Sequence, residues 1–104
     1  MAHPLVKKVE EKAKSAPVVI FMKGTAQFPQ CGFSARAVQV LKAAGVDDLV
    51  SIDVLADDPL WEALEEYTQW PTVPQIFIKG QFVGGCDIVS EMYERGELQE
   101  ALKT

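Results

Sequence analysis

Cysteine is scarce in this chain: two residues, Cys31 and Cys86, among 104. That is too few for a disulfide scaffold, although a single Cys31–Cys86 bond stays open. Histidine is scarcer. His3 is the only one, it sits near a terminus expected to be mobile, and a lone imidazole lacks the partners a metal site needs. Positive charge is in deficit, with 10 Lys and Arg against 15 Asp and Glu, a net charge of −5. This argues against nucleic-acid binding, which runs on neutralising phosphates with basic side chains. Long apolar runs are missing as well: the longest, Val18–Met22, falls far short of the roughly 20 residues a membrane span requires. Residues 1–11 are charged and carry no apolar segment of the kind a secretory signal has. The expected setting is therefore a reducing one, either a bacterial cytoplasm or, if a transit peptide has been removed, an organellar matrix. There, cysteines serve more often in catalysis, in metal binding or as buried side chains than in disulfides.

What is present fits one α/β domain spanning residues 1–104, with no repeat, linker or low-complexity tract. Pro4 is placed to begin a first helix, with Leu5, Val6, Val9 and Ala13 at helical spacing. Residues 17–23 read as a buried strand, closed by Gly24, and residues 25–30 as a loop around Pro29. Residues 34–44 read as a helix stopped by Gly45, 49–54 as a second strand, and 60–68 as a helix opened by Asp57, Asp58 and Pro59. After the break at Trp70–Pro74, residues 75–79 and 81–84 form a hairpin around Lys79-Gly80. Asp87 is placed to cap a helix over 88–95, Gly96 ends it, and a short helix covers 98–102. The first two strands are joined through a helix, so they should be parallel with a right-handed crossover, and the hairpin adds antiparallel strands. The expected architecture is a central sheet with helices on both faces.

The informative residue is Cys31, after a strand and a loop and at the opening of a helix. Unpaired N–H groups and the helix dipole favour negative charge there, so the thiol should ionise more readily than usual. The thiolate is the form that attacks disulfides and binds soft metals. Lys23, at the end of the preceding strand, adds a positive charge if the loop folds back. The plainer readings are a buried structural cysteine and an ordinary surface lysine. Cys31 and Cys86 do not form a Cys-x-x-Cys pair, because the position for the second thiol holds Ser34. Intramolecular release of a mixed disulfide, the task of that second thiol, is thus unavailable. The Ser34 hydroxyl is free to cap the following helix.

Cys31-Gly32-Phe33-Ser34 resembles the CGFS signature of the monothiol glutaredoxins. Met22-Lys23-Gly24-Thr25 is similar to their segment before the active loop, Trp70-Pro71-Thr72-Val73-Pro74-Gln75 to their WPT-x-PQ segment, and Gly84-Gly85-Cys86-Asp87 to GGCD. Four segments in this order, covering most of the chain, make the resemblance specific. It implies a thioredoxin-like fold with a four-stranded mixed sheet, and a groove for glutathione beside the cysteine. Carried over residue by residue, it implies that Lys23 meets the glycyl carboxylate. Val73 offers its backbone to the cysteinyl part as an added strand would, and Pro74 is cis. Cys86 and Asp87 hold the γ-glutamyl end through helix-opening N–H groups and the Asp carboxylate. A plain helix cap remains the alternative for Asp87. For Cys86, a resolving thiol, a second cluster ligand and a small buried side chain all stay open, the last favoured because cysteine is commonly buried. One position departs from the family: Trp61 stands where relatives usually carry an arginine that clamps the glycyl carboxylate. Either Lys23 and neighbours such as Gln27 suffice for the carboxylate, or glutathione is bound more weakly. Trp61, Tyr67 and Trp70 read as packing residues around the third helix.

The resemblance also implies a cluster. A [2Fe–2S] cluster takes four thiolates. One chain offering only Cys31 supplies one, two chains supply two, and two glutathione thiols complete the set in a bridged homodimer. The rival count uses Cys31 and Cys86 from both chains and no glutathione. The resulting expectation is a carrier that passes its cluster to apo iron–sulfur recipient proteins, with a BolA-type protein as a family partner able to replace one subunit. It is at most a weak enzyme. The alternatives are a glutathione-dependent thiol–disulfide oxidoreductase acting through Cys31 on glutathionylated proteins, and a redox-inactive interaction module.

Overall fold

In the computed structural model, the uninterrupted burial of the first strand sets the architecture. The structure describes residues 3–103. Met1 and Ala2, part of the charged N-terminal stretch, and the end of the 1–104 span lie outside the described residues. Strand β1 (Val18–Met22) is buried at every position. Val18, Ile20 and Met22 face one layer of the core, and Val19 and Phe21 face the other. Successive strand side chains point to opposite faces, so a run apolar at every position must be covered on both sides.

The cover on one face comes from α2 (Gly32–Ala43), α4 (Cys86–Glu94) and α5 (Glu97–Leu102), through Ala37, Val38, Leu41, Val89 and Leu98. On the other face lie α1 (Val6–Ala13) and α3 (Asp58–Thr68), through Val9, Ala13, Leu60, Ala63 and Leu64. The sheet has four strands in the order β2-β1-β3-β4, with β2 being Leu49–Asp53, β3 Gln75–Ile78 and β4 Gln81–Gly84. β1 runs parallel to β2, with Val18 opposite Leu49, and antiparallel to β3, with Val18 opposite Ile78. β3 and β4 form the hairpin, with a register shift between Ile76 and Phe77. This is the thioredoxin-like α/β arrangement, with a mixed sheet between two helical layers.

Several element ends differ from the sequence reading. α1 begins at Val6, and Pro4 lies in the turn before it. α2 begins at Gly32 with Cys31 as its N-cap, two residues earlier than expected, because Cys31 keeps an extended backbone (φ −152°, ψ 140°) and Gly32 already turns into the helix. α4 begins at Cys86, with Gly85 as N-cap, so Asp87 sits within the first turn and does not cap. The reason is Gly84-Gly85: φ of +149° at Gly84 and an extended Gly85 turn the chain into the helix before Asp87 is reached. Asp57 does cap α3, accepting the Leu60 N–H at 3.1 Å. His3 is tied to α3: its Nε2 lies 3.4 Å from Glu62 Oε1 and its backbone N–H donates to Glu66. That pairing across the fold was not visible from its place near the chain end.

Candidate functional site

The loop between β1 and α2 is closed by its own backbone. The Gln30 N–H donates to the Lys23 carbonyl at 2.8 Å, and Thr25 and Phe28 exchange N–H and carbonyl contacts at 3.3 and 3.1 Å. The Gly24 N–H donates to Asp53 Oδ1 at 2.9 Å and the Ala26 N–H to Ser51 Oγ at 3.1 Å, tying the loop to β2. Gly24 itself (φ +88°) admits no side chain, since a Cβ there would lie 2.4 Å from the Phe28 carbonyl oxygen. The loop therefore folds back, and its ends, Lys23 and Cys31, arrive side by side at one groove.

Cys31 is a partly exposed free thiol. The N–H groups of Ser34 and then Phe33, in the first turn of α2, face its sulfur and hold its pKa below the ordinary thiol value of 9.0. Slight burial opposes them, and the Lys23 ammonium and the Ser34 hydroxyl add smaller contributions in the same downward direction. Ser34 is fully buried, and its Oγ accepts the Lys23 N–H at 3.3 Å. Cys31 holds the N-cap position, so the Ser34 hydroxyl braces the loop against the helix and does not cap.

All six residues singled out from the sequence line this groove of about 640 Å³: Lys23, Cys31, Val73, Pro74, Cys86 and Asp87. The Val73–Pro74 bond is cis, as the resemblance implied. Cys86 is only 5% exposed and its sulfur lies 4.0 Å from Ser90 Oγ. Gly85 lets α4 approach the 70–74 segment: a Cβ there would stand 3.2 Å from the Pro74 carbonyl oxygen. The amino ends of α2 and α4 thus meet at one groove, bringing two sets of unpaired N–H groups to it. Gln27 does not line it.

Residues the sequence reading assigned to packing also reach the groove. Trp61 packs in the α1–α3 layer yet lines the groove, and the Lys23 ammonium stands 5.7 Å from its ring centroid. Trp70 lines the groove as well, with its ring 5.9 Å from that of Phe82. Tyr67 does pack, stacked on Phe77 at 6.3 Å. Gln75 was missed altogether. It is fully buried, and its Nε2 donates to the carbonyls of Trp70 and Thr72 at 2.9 and 3.0 Å, fixing the segment that walls the groove. Only its place after the WPT-x-P segment hinted at that task.

Comparison with known proteins agrees. A protein-family model described as glutaredoxin matches residues 18–83. The chain is similar to mitochondrial monothiol glutaredoxin-5 of Schizosaccharomyces pombe, 47% identical over 97 residues, covering 91% of this chain and 66% of that protein. It therefore spans just under two thirds of that relative's length. Glutaredoxin 4 of Escherichia coli is 44% identical over 98 residues, 94% of this chain and 84% of that one. The crystal structure of a buckwheat glutaredoxin–glutathione complex superposes with a TM-score of 0.82 at 30% identity, over 93% of this chain and 86% of the other.

Proposed function

The chain belongs to the glutaredoxin family, among its monothiol members, and from that premise we propose that it binds glutathione in the groove and carries a [2Fe–2S] cluster between proteins. The observation that carries this reading is Cys31 itself: an accessible, readily ionised thiol at the amino end of α2, with a buried serine where a second thiol would stand. In the proposed pose, Lys23 receives the glycyl carboxylate and the Val73 backbone pairs with the cysteinyl part. The α4 N–H groups with Asp87 hold the γ-glutamyl end. The structure of the buckwheat glutaredoxin with glutathione supports this use of the groove.

The donor set fits a cluster only if it is shared. Among the described residues no group of three or more His, Cys, Asp or Glu side chains is placed to hold a metal ion. Cys86 is nearly covered, leaving Cys31 as the accessible thiol. Four thiolates are then reached by two chains and two glutathiones. The cluster is cargo: it sits at an open groove, held in part by small exchangeable thiols, which suits handing it to recipient proteins. A BolA-type partner in place of one subunit belongs to the same proposal, as do the single domain over residues 1–104 and a reducing compartment. Among the described residues no helix is long and apolar enough to cross a membrane.

The lowered Cys31 pKa also favours a second activity. The thiolate attacks the glutathione sulfur of a glutathionylated protein, the protein thiolate leaves, and Cys31 is left in a mixed disulfide. A second glutathione thiolate then releases oxidised glutathione and restores Cys31. The deciding experiment is reconstitution with iron, sulfide and glutathione, comparing the visible spectrum of the wild type with that of Cys31→Ser. A spectrum in both proteins, or in neither, rejects the carrier.

A further inference from the structure

Lys23 is the only cation among the residues lining the groove, and its position is settled in an unusual way. Its backbone is pinned at both ends of the residue: the N–H donates to Ser34 Oγ at 3.3 Å and the carbonyl accepts the Gln30 N–H at 2.8 Å. Its side chain has no carboxylate partner among the described residues. Asp53, which stands opposite Met22 in the β1–β2 pairing, turns its Oδ1 to the N–H groups of Gly24 and Leu55, at 2.9 Å each. What the ammonium does meet is an aromatic face, the Trp61 ring, 5.7 Å from its centroid. Trp61 sits in the first turns of α3 with its ring packed into the α1–α3 layer. Its indole N–H is buried without a partner, so packing and not a hydrogen bond fixes the ring.

We propose that Trp61 is a positioning residue, whose ring seats the Lys23 ammonium at the groove so that the groove recognises a carboxylate on the far end of its thiol ligand. A carboxylate partner in that place would neutralise the lysine and compete with the ligand. An aromatic face holds the cation through its negative π-cloud and leaves its charge available. The selectivity of this site for a thiol bearing a terminal carboxylate, over one lacking it, thus depends on a contact between two side chains that need not both touch the ligand. The inference rests on the glutathione reading given above.

The test is an NMR titration of the reduced protein with glutathione and, separately, with its C-terminal glycinamide, in which a neutral amide replaces the glycyl carboxylate. In the wild type without ligand, the Lys23 ε-methylene resonances should lie upfield through the Trp61 ring current; their absence from that position overturns the contact, whatever the variants do. Trp61→Leu should weaken glutathione about two- to fivefold, the size of a partly exposed cation–aromatic contact, and leave the glycinamide unchanged. Trp61→Phe should restore glutathione binding, since no indole hydrogen bond is lost. On a Lys23→Met background, Trp61→Leu should have no further effect. Equal losses for both thiols, or an undiminished effect without Lys23, assign Trp61 a merely structural role and overturn the inference alone. A wild type that binds neither thiol overturns it together with the glutathione reading.

Discussion

At the scale of single residues, the ionisation of Cys31 follows from where its backbone stops being extended and α2 begins. The N–H groups of Ser34 and Phe33 stabilise the thiolate, so the folded pKa lies below 9.0. The sign follows directly: between the lowered value and 9.0 the sulfur is more ionised than a free cysteine, and its reactivity falls only as pH drops through the lowered value. Absorbance at 240 nm, titrated against a Cys31→Ser reference, should show that displaced midpoint; a midpoint at or above 9.0 contradicts the placement. Ser34→Ala should destabilise the fold by about 1–2 kcal/mol in urea unfolding, because the Lys23 N–H loses its acceptor in a part-buried place. Cys31 and Lys23 were legible from the sequence because a thiol at a helix opening and a lysine at a strand end carry chemical meaning at those positions. Trp61 and Gln75 were not. A tryptophan at helical spacing reads as packing, and nothing local reveals that an amide at the start of a buried strand turns back to hold the preceding carbonyls.

The elements were legible in order and type because their periods are distinct: an uninterrupted apolar run for β1, helical spacing with a carboxylate cap and proline for α3, and Lys79-Gly80 between two short strands. Their ends were less so. Both helices that open at the groove begin earlier than their polar residues suggested, since the backbone of Cys31 and of Gly84-Gly85 sets the turn and the side chains of Ser34 and Asp87 do not. The β1–α2 loop depends in the same way on one backbone. Gly24→Ala combines a positive φ with a Cβ 2.4 Å from a carbonyl oxygen, and should lose at least about 2 kcal/mol of stability. Its loop should also open, which faster amide exchange at Gln30 would report; an unchanged melting curve and exchange rate would contradict the tightness described. Asp57→Ala, by contrast, should cost about 1 kcal/mol through the lost α3 cap, without altering Cys31 reactivity.

At the scale of the molecule, one accessible thiol per chain implies assembly whenever a four-thiolate cluster is held. Its surroundings suit close approach of another protein: Phe33, next to Cys31, is 64% exposed, and Phe28 in the same loop is 75% exposed. Cys86 separates the two ligand counts. Nearly covered and 4.0 Å from Ser90 Oγ, it is placed as a groove wall, so Cys86→Ser should keep the cluster. Loss of the cluster in that variant would favour four protein thiolates and no glutathione. The most direct measurement is native mass spectrometry of protein reconstituted anaerobically with iron, sulfide and glutathione. Two chains, two glutathiones and one [2Fe–2S] cluster in a single species, absent from Cys31→Ser, is the expected result. A cluster-bearing species without glutathione, or one that survives the loss of Cys31, would contradict it.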